Sequence, residues 1–122
     1  MAKFGRVAPS IPVADMQRAL QFYRDVLGFS MTFTNGNPIS FAIIKQGDAQ
    51  LHLGVAPGKA GSFHAHIMVD HLEAVYQRLV QASATIRQAP KIQSWGLRDI
   101  VIADPDGNTF ELAEPIAEPV VM

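Results

Sequence analysis

His52, His64, His66 and Glu111 are the side chains of this sequence best equipped for chemistry. An imidazole titrates near neutrality and can pass a proton or hold a metal ion. A carboxylate can serve as a base or as a ligand. Their spacing fixes where they point, because side chains alternate along a strand with a period of two. In the stretch Phe63 to Val69, Phe63, Ala65, Ile67 and Val69 share one face and His64, His66 and Met68 the other. In Ala49 to Val55, Leu51, Leu53 and Val55 oppose Gln50, His52 and Gly54. In Thr109 to Glu114, Phe110 and Leu112 oppose Thr109, Glu111 and Ala113. The apolar faces must be covered by helices, so the faces with the histidines and Glu111 are left for an open cleft, which His66 would line.

The elements that position these groups occur twice. Val7 to Val13 is an apolar stretch broken by Pro9 and Pro12, which lack the ladder donor, so it reads as an edge strand. Asp15 is placed as an N-cap. Leu20, Phe22, Tyr23, Val26 and Leu27 follow at helical spacing, and Gly28 stops the helix. Strands over Phe29 to Phe33, Ile39 to Lys45 and Ala49 to Val55 complete a β-α-β-β-β order. After a Gly- and Pro-containing loop the order begins again. Phe63 to Val69 is a strand, Asp70 a cap, and Leu72, Val75, Tyr76, Leu79 and Val80 mark a second helix. Strands over Thr85 to Lys91, Arg98 to Ala103 and Thr109 to Glu114 close the pattern, with Asp104-Pro105-Asp106-Gly107 as turn chemistry.

The expectation is an α+β fold of two βαβββ modules forming curved mixed sheets with helices outside. It is a single domain over 1–122, with pseudo-repeats at about 4–55 and 63–114 and a C-terminal tail over 115–122. Superposing the repeats sets His52 on Glu111 and Ala8 on His64. Four pseudo-equivalent positions then face one concave surface. Open sheet edges favour pairing of two copies about a two-fold axis.

Composition narrows the function classes. The 122 residues are 48% hydrophobic and 17% charged, which excludes wholesale disorder. Ten basic residues against eleven acidic ones give no field to hold nucleic acid. With no cysteine, disulfides and thiol nucleophiles are excluded. No apolar run approaches the ~20 residues that cross a bilayer, and the start, without an apolar segment, reads as cytoplasmic. His71 is placed in solvent.

Val13-Ala14-Asp15-Met16, Phe22-Tyr23-Arg24-Asp25-Val26-Leu27-Gly28-Phe29, Val69-Asp70-His71-Leu72 and Asp104-Pro105-Asp106-Gly107-Asn108 carry a family likeness. With these the chain resembles the vicinal oxygen chelate superfamily, which includes glyoxalase I, extradiol dioxygenases, fosfomycin-resistance enzymes and bleomycin-resistance proteins. The resemblance implies the glyoxalase/bleomycin-resistance fold. Met1-Ala2-Lys3, Pro9 and Gln93-Ser94-Trp95-Gly96 look most like the bleomycin-resistance type. That likeness implies a homodimer whose N-terminal strand crosses to the partner, with Pro9 at the hinge. It implies a groove at the dimer interface in which a planar, drug-like ligand stacks on Trp95, with Phe33 and Phe41 as further surfaces, and is sequestered without chemistry. The alternative that the superfamily implies is a metal-dependent lyase, isomerase or dioxygenase. His52, His64 and Glu111 would then hold one divalent ion (Mn, Fe, Ni or Zn), with Glu111 as ligand or catalytic base. Ala8 departs from that pattern at the first-strand position.

Overall fold

Alternation of apolar residues builds two sheets from strands in the order the sequence predicts. The computed structural model describes residues 1–116. Ser10–Val13 (β1), Ser30–Asn35 (β2), Phe41–Gln46 (β3) and Ala49–Val55 (β4) form one sheet in the order β1-β4-β3-β2. His64–Met68 (β5), Thr85–Ile92 (β6), Leu97–Ala103 (β7) and Thr109–Pro115 (β8) form the other, ordered β5-β8-β7-β6. In each sheet the first strand runs parallel to the last and the rest are antiparallel. Helix Met16–Gln21 (α1) follows β1, and helix Leu72–Gln81 (α2) follows β5. Each half is therefore β-α-β-β-β.

Four local details differ from the sequence reading, each for a physical reason. The first strand starts at Ser10 rather than Val7. Pro9 stands just outside it and contributes only its carbonyl, which accepts from His52 N at 2.9 Å. Ahead of it Phe4 and Val7 are exposed. The first helix is not continuous: α1 passes into a π-helical turn, Phe22–Val26. Leu27 N donates five residues back to Phe22 O at 3.2 Å, and the wider turn keeps the neighbours Phe22 and Tyr23 both in the core. Asp15 does cap α1, accepting from Arg18 N at 3.1 Å. Asp70 does not cap α2. Its side chain is in solvent, and Glu114 Oε2 accepts from Leu72 N instead, at 3.1 Å. Finally, β6 continues through Pro90, where a register shift between Gln88 and Lys91 absorbs the missing donor. β8 runs on to Pro115, and the rest of the expected tail, 117–122, lies outside the described residues.

One buried cluster joins both halves. Ile11, Tyr23, Ile44 and Leu53 from the first meet Leu72, Leu79, Ile100, Ile102 and Phe110 from the second. The Tyr23 and Phe110 rings pack edge to face, with centroids 6.0 Å apart. A polar corner fixes the two halves to each other. Tyr23 Oη donates to Asp104 Oδ2 at 2.7 Å, and Arg18 pairs with Asp106 at 2.7 Å. Asn108, fully buried, donates to Pro12 O at 2.8 Å and accepts from Gly61 N and Phe63 N at 2.9 and 3.1 Å. Gly61 has φ +91°, and a Cβ there would stand 2.6 Å from Asp106 O, so only glycine fits.

Candidate functional site

The parallel register of β5 and β8 builds the polar face of the second sheet. It sets His66 opposite Glu111 and His64 opposite Thr109. His66 Nε2 is paired with Glu111 Oε2. His64 Nδ1 hydrogen-bonds Thr109 Oγ1 at 2.6 Å, and the two imidazoles meet edge to face at 5.8 Å. One ligating atom from each of His64, His66 and Glu111 lies within 4.8 Å of the others. Two imidazoles and a carboxylate, two of the three exposed, are a donor set that fits a divalent ion.

Behind Glu111 sits a group that sequence reasoning did not single out. Asp99, on β7, is fully buried. Gln88 and Gln93 donate to its Oδ1 at 2.7 and 3.0 Å. Its Oδ2 has no hydrogen-bond partner among the described residues, and the Glu111 carboxyl lies close enough to affect it. Two carboxyl groups so close resist ionising together. The hydrogen bond to Asp99, and then burial, push Glu111 above its ordinary value, against the opposing pull of His66. Burial would raise Asp99 too. The hydrogen bonds from Glu111, Gln93 and Gln88 outweigh it and hold Asp99 below the usual carboxylate range. A signal was available: Asp99 is the one acid in the apolar run Leu97–Ala103, two residues from the partner of Glu111.

The first sheet carries the aromatic groups. Phe33, 52% exposed on β2, meets Phe41 on β3 with centroids 6.3 Å apart. Phe41 in turn meets the His52 ring at 5.4 Å. His52 Nε2 also lies 3.3 Å from Gln50 Nε2. Phe41 and His52 border a hollow of about 470 Å³ that extends to Pro12 and Phe63. Within one chain His52 thus belongs to the aromatic row on β3 and β4, and His66 takes the place beside His64 and Glu111. Ala8 precedes β1 and brings no donor. Trp95 stands in the turn between β6 and β7, 64% exposed. Pro9 stands where an arm over residues 1–8 joins β1.

Comparison with known proteins agrees with this architecture. Bleomycin resistance protein of Geobacillus stearothermophilus is 24% identical over 128 residues, spanning 88% of this chain and 95% of that protein. TnmS3, described as an antibiotic binding protein from Streptomyces sp. CB03234, superposes with a TM-score of 0.81 at 28% identity, over 95% of this chain and 100% of TnmS3. The bleomycin resistance determinant encoded on transposon Tn5 superposes with a TM-score of 0.79 at 25% identity, covering 92% of this chain and 98% of its own. Residues 3–112 match the family described as Glyoxalase/Bleomycin resistance protein/Dioxygenase superfamily, and the chain belongs to it.

Proposed function

We propose that this protein binds a planar, drug-like small molecule and sequesters it without chemistry. The observation that carries this reading is the aromatic row Phe33–Phe41–His52, exposed at Phe33 and half-buried at Phe41 and His52, beside an open hollow. Flat rings presented edge to face on a rigid sheet offer stacking surface with little side-chain entropy to lose. Exposed Trp95 supplies a further indole surface. The similarity to bleomycin-resistance and antibiotic-binding proteins supports the same reading.

The groove is completed by a second copy of the chain. Every residue of β2 is exposed, including Met31 and Phe33, and Phe4 and Val7 project from the arm ahead of Pro9. An apolar arm and a sheet edge left open in one chain are suited to exchange across a two-fold axis. Trp95 is the only tryptophan, so the fluorescence of the protein comes from one known position. Titration with bleomycin and a panel of planar polycyclic antibiotics is expected to give saturable quenching with at least one of them, weakened in F41A. An absence of saturable quenching and of calorimetric heat across the panel would remove the reading.

A second reading rests on the convergence of His64, His66 and Glu111. These three residues would hold one divalent ion, whose chemistry is to polarise a substrate oxygen. In this arrangement His66 replaces His52 as the third ligand, and Glu111 binds as the carboxylate.

A further inference from the structure

The duplicated halves meet at two corners, and only one of them is filled. At the filled corner the turn from β7 to β8 spans five residues, Asp104 to Asn108. Its side chains reach the end of β1 and α1: Asp106 receives Arg18 at 2.7 Å, with the carboxylate almost wholly buried. The equivalent turn from β3 to β4 has only Gly47 and Asp48, and it faces the end of β5 and α2. The shorter turn leaves a cavity of about 360 Å³, within the range of small-molecule sites. Val26, Leu27, Phe29, Ile67, Val75 and Leu112 give it an apolar lining. Val26 ends the π-helical turn, a distortion frequent at functional sites, and Leu27 follows it.

Two nitrogen donors converge on this cavity. Gly28 has φ +82°, and a Cβ there would stand 3.2 Å from Gln46 Nε2 and 3.3 Å from Arg78 Nη1. Glycine therefore lets an amide and a guanidinium meet over one backbone position. Among the described residues neither side chain has a hydrogen-bond or ion-pair partner. Asp48 and Asp70 also border the mouth. Asp48 makes no ion pair with Arg78, and Asp70 is exposed and pairs with His71. At the filled corner Arg18 has Asp106; at the open corner Arg78, a turn further along its helix than Arg18, has no acidic partner among the described residues.

We infer that this second corner is a binding site for an apolar carboxylic acid, separate from the aromatic groove. The hydrocarbon body fills the cavity, and the carboxylate accepts from Arg78 and Gln46 above Gly28. A guanidinium fork with an adjacent amide matches a carboxylate in shape and charge.

Octanoate is the probe, followed by amide shifts of the full chain in solution, with octylamine and octanol as controls. Saturable one-to-one binding of octanoate is expected, with shifts at Gly28, Gly47 and Val69. R78Q, a change at an exposed and unpaired side chain, is expected to weaken it about tenfold. W95A is expected to leave it unchanged, which separates this site from the groove. The inference is overturned by an absence of saturable binding, by equal affinity for octylamine, or by unaltered affinity in R78Q. Shifts centred on His66 and Glu111 would also overturn it.

Discussion

Tyr23 Oη donates to Asp104 Oδ2 at 2.7 Å, a buried bond between residues 81 positions apart that joins the first helical segment to the last turn. Burial and then the Asp104 carboxylate push the Tyr23 phenol well above its ordinary pKa, so it remains a donor throughout the range in which the protein is folded. Asp104 Oδ2 has a second donor in Asn108 Nδ2 at 2.9 Å, and Oδ1 accepts from the backbone of Asp106 and Asn108. Y23F is therefore expected to cost about 1–2 kcal/mol, and D104A about 3 kcal/mol or more, because several buried donors lose their acceptor together. Urea unfolding measures both; equal costs would contradict the network.

The Glu111–Asp99 pair predicts an unusual pH dependence. Asp99 is depressed in the fold, so its contribution is present above its ordinary range and lost as pH falls through its lowered value. Glu111 is raised, so its contribution is present below its ordinary value and lost as pH rises through its raised value. E111Q keeps an N–H donor towards Asp99 at every pH. It is expected to equal the wild type near about pH 4.5 and to exceed its stability by about 1 kcal/mol near about pH 8. Parallel stability curves for the two proteins would contradict the coupling of the two carboxyl groups.

Metal loading separates the histidines. Chelator-treated protein reloaded with Zn(II) or Mn(II) is expected to lose stoichiometric binding in H66A and E111A and to retain it in H52A. Calorimetry reads this without any substrate. Loss in H52A with retention in H66A would return the site to the pseudo-equivalent set His52, His64 and Glu111.

In the aromatic row, F41A removes the ring between Phe33 and His52. It is expected to weaken a planar ligand by about 1–2 kcal/mol, while W95A, at an exposed turn, is expected to change the unfolding free energy by less than about 0.5 kcal/mol. Unchanged ligand affinity in F41A would remove Phe41 from the site, and a larger loss of stability in W95A would show that Trp95 is structural.

The strand order and the polar faces were legible because alternation and turn chemistry are local signals. His64, His66 and Glu111 each face the side that the period of two assigns. Which of them touch was not legible in the same way. Superposing the repeats relates His52 to Glu111 by pseudo-symmetry, but symmetry mates occupy corresponding places in different sheets. Contact is set by pairing register, and parallel β5–β8 pairing selects His66. The π-helical turn left no periodic trace because it only widens one turn, so that the adjacent Phe22 and Tyr23 are both buried. Glu114 takes Asp70's expected place as the partner of the α2 amide because a strand end from far along the chain lies against it, a tertiary contact invisible to local pattern.

The filled and open corners give the two halves unequal room to change. Asp104, Asp106 and Asn108 are committed to holding the molecule shut, and a substitution among them puts the whole fold at risk. Gln46, Asp48 and Arg78 border the open corner with no such duty among the described residues. A duplicated architecture thus separates robustness from novelty within one short chain. New binding chemistry can be tried at one corner while the other keeps the protein folded.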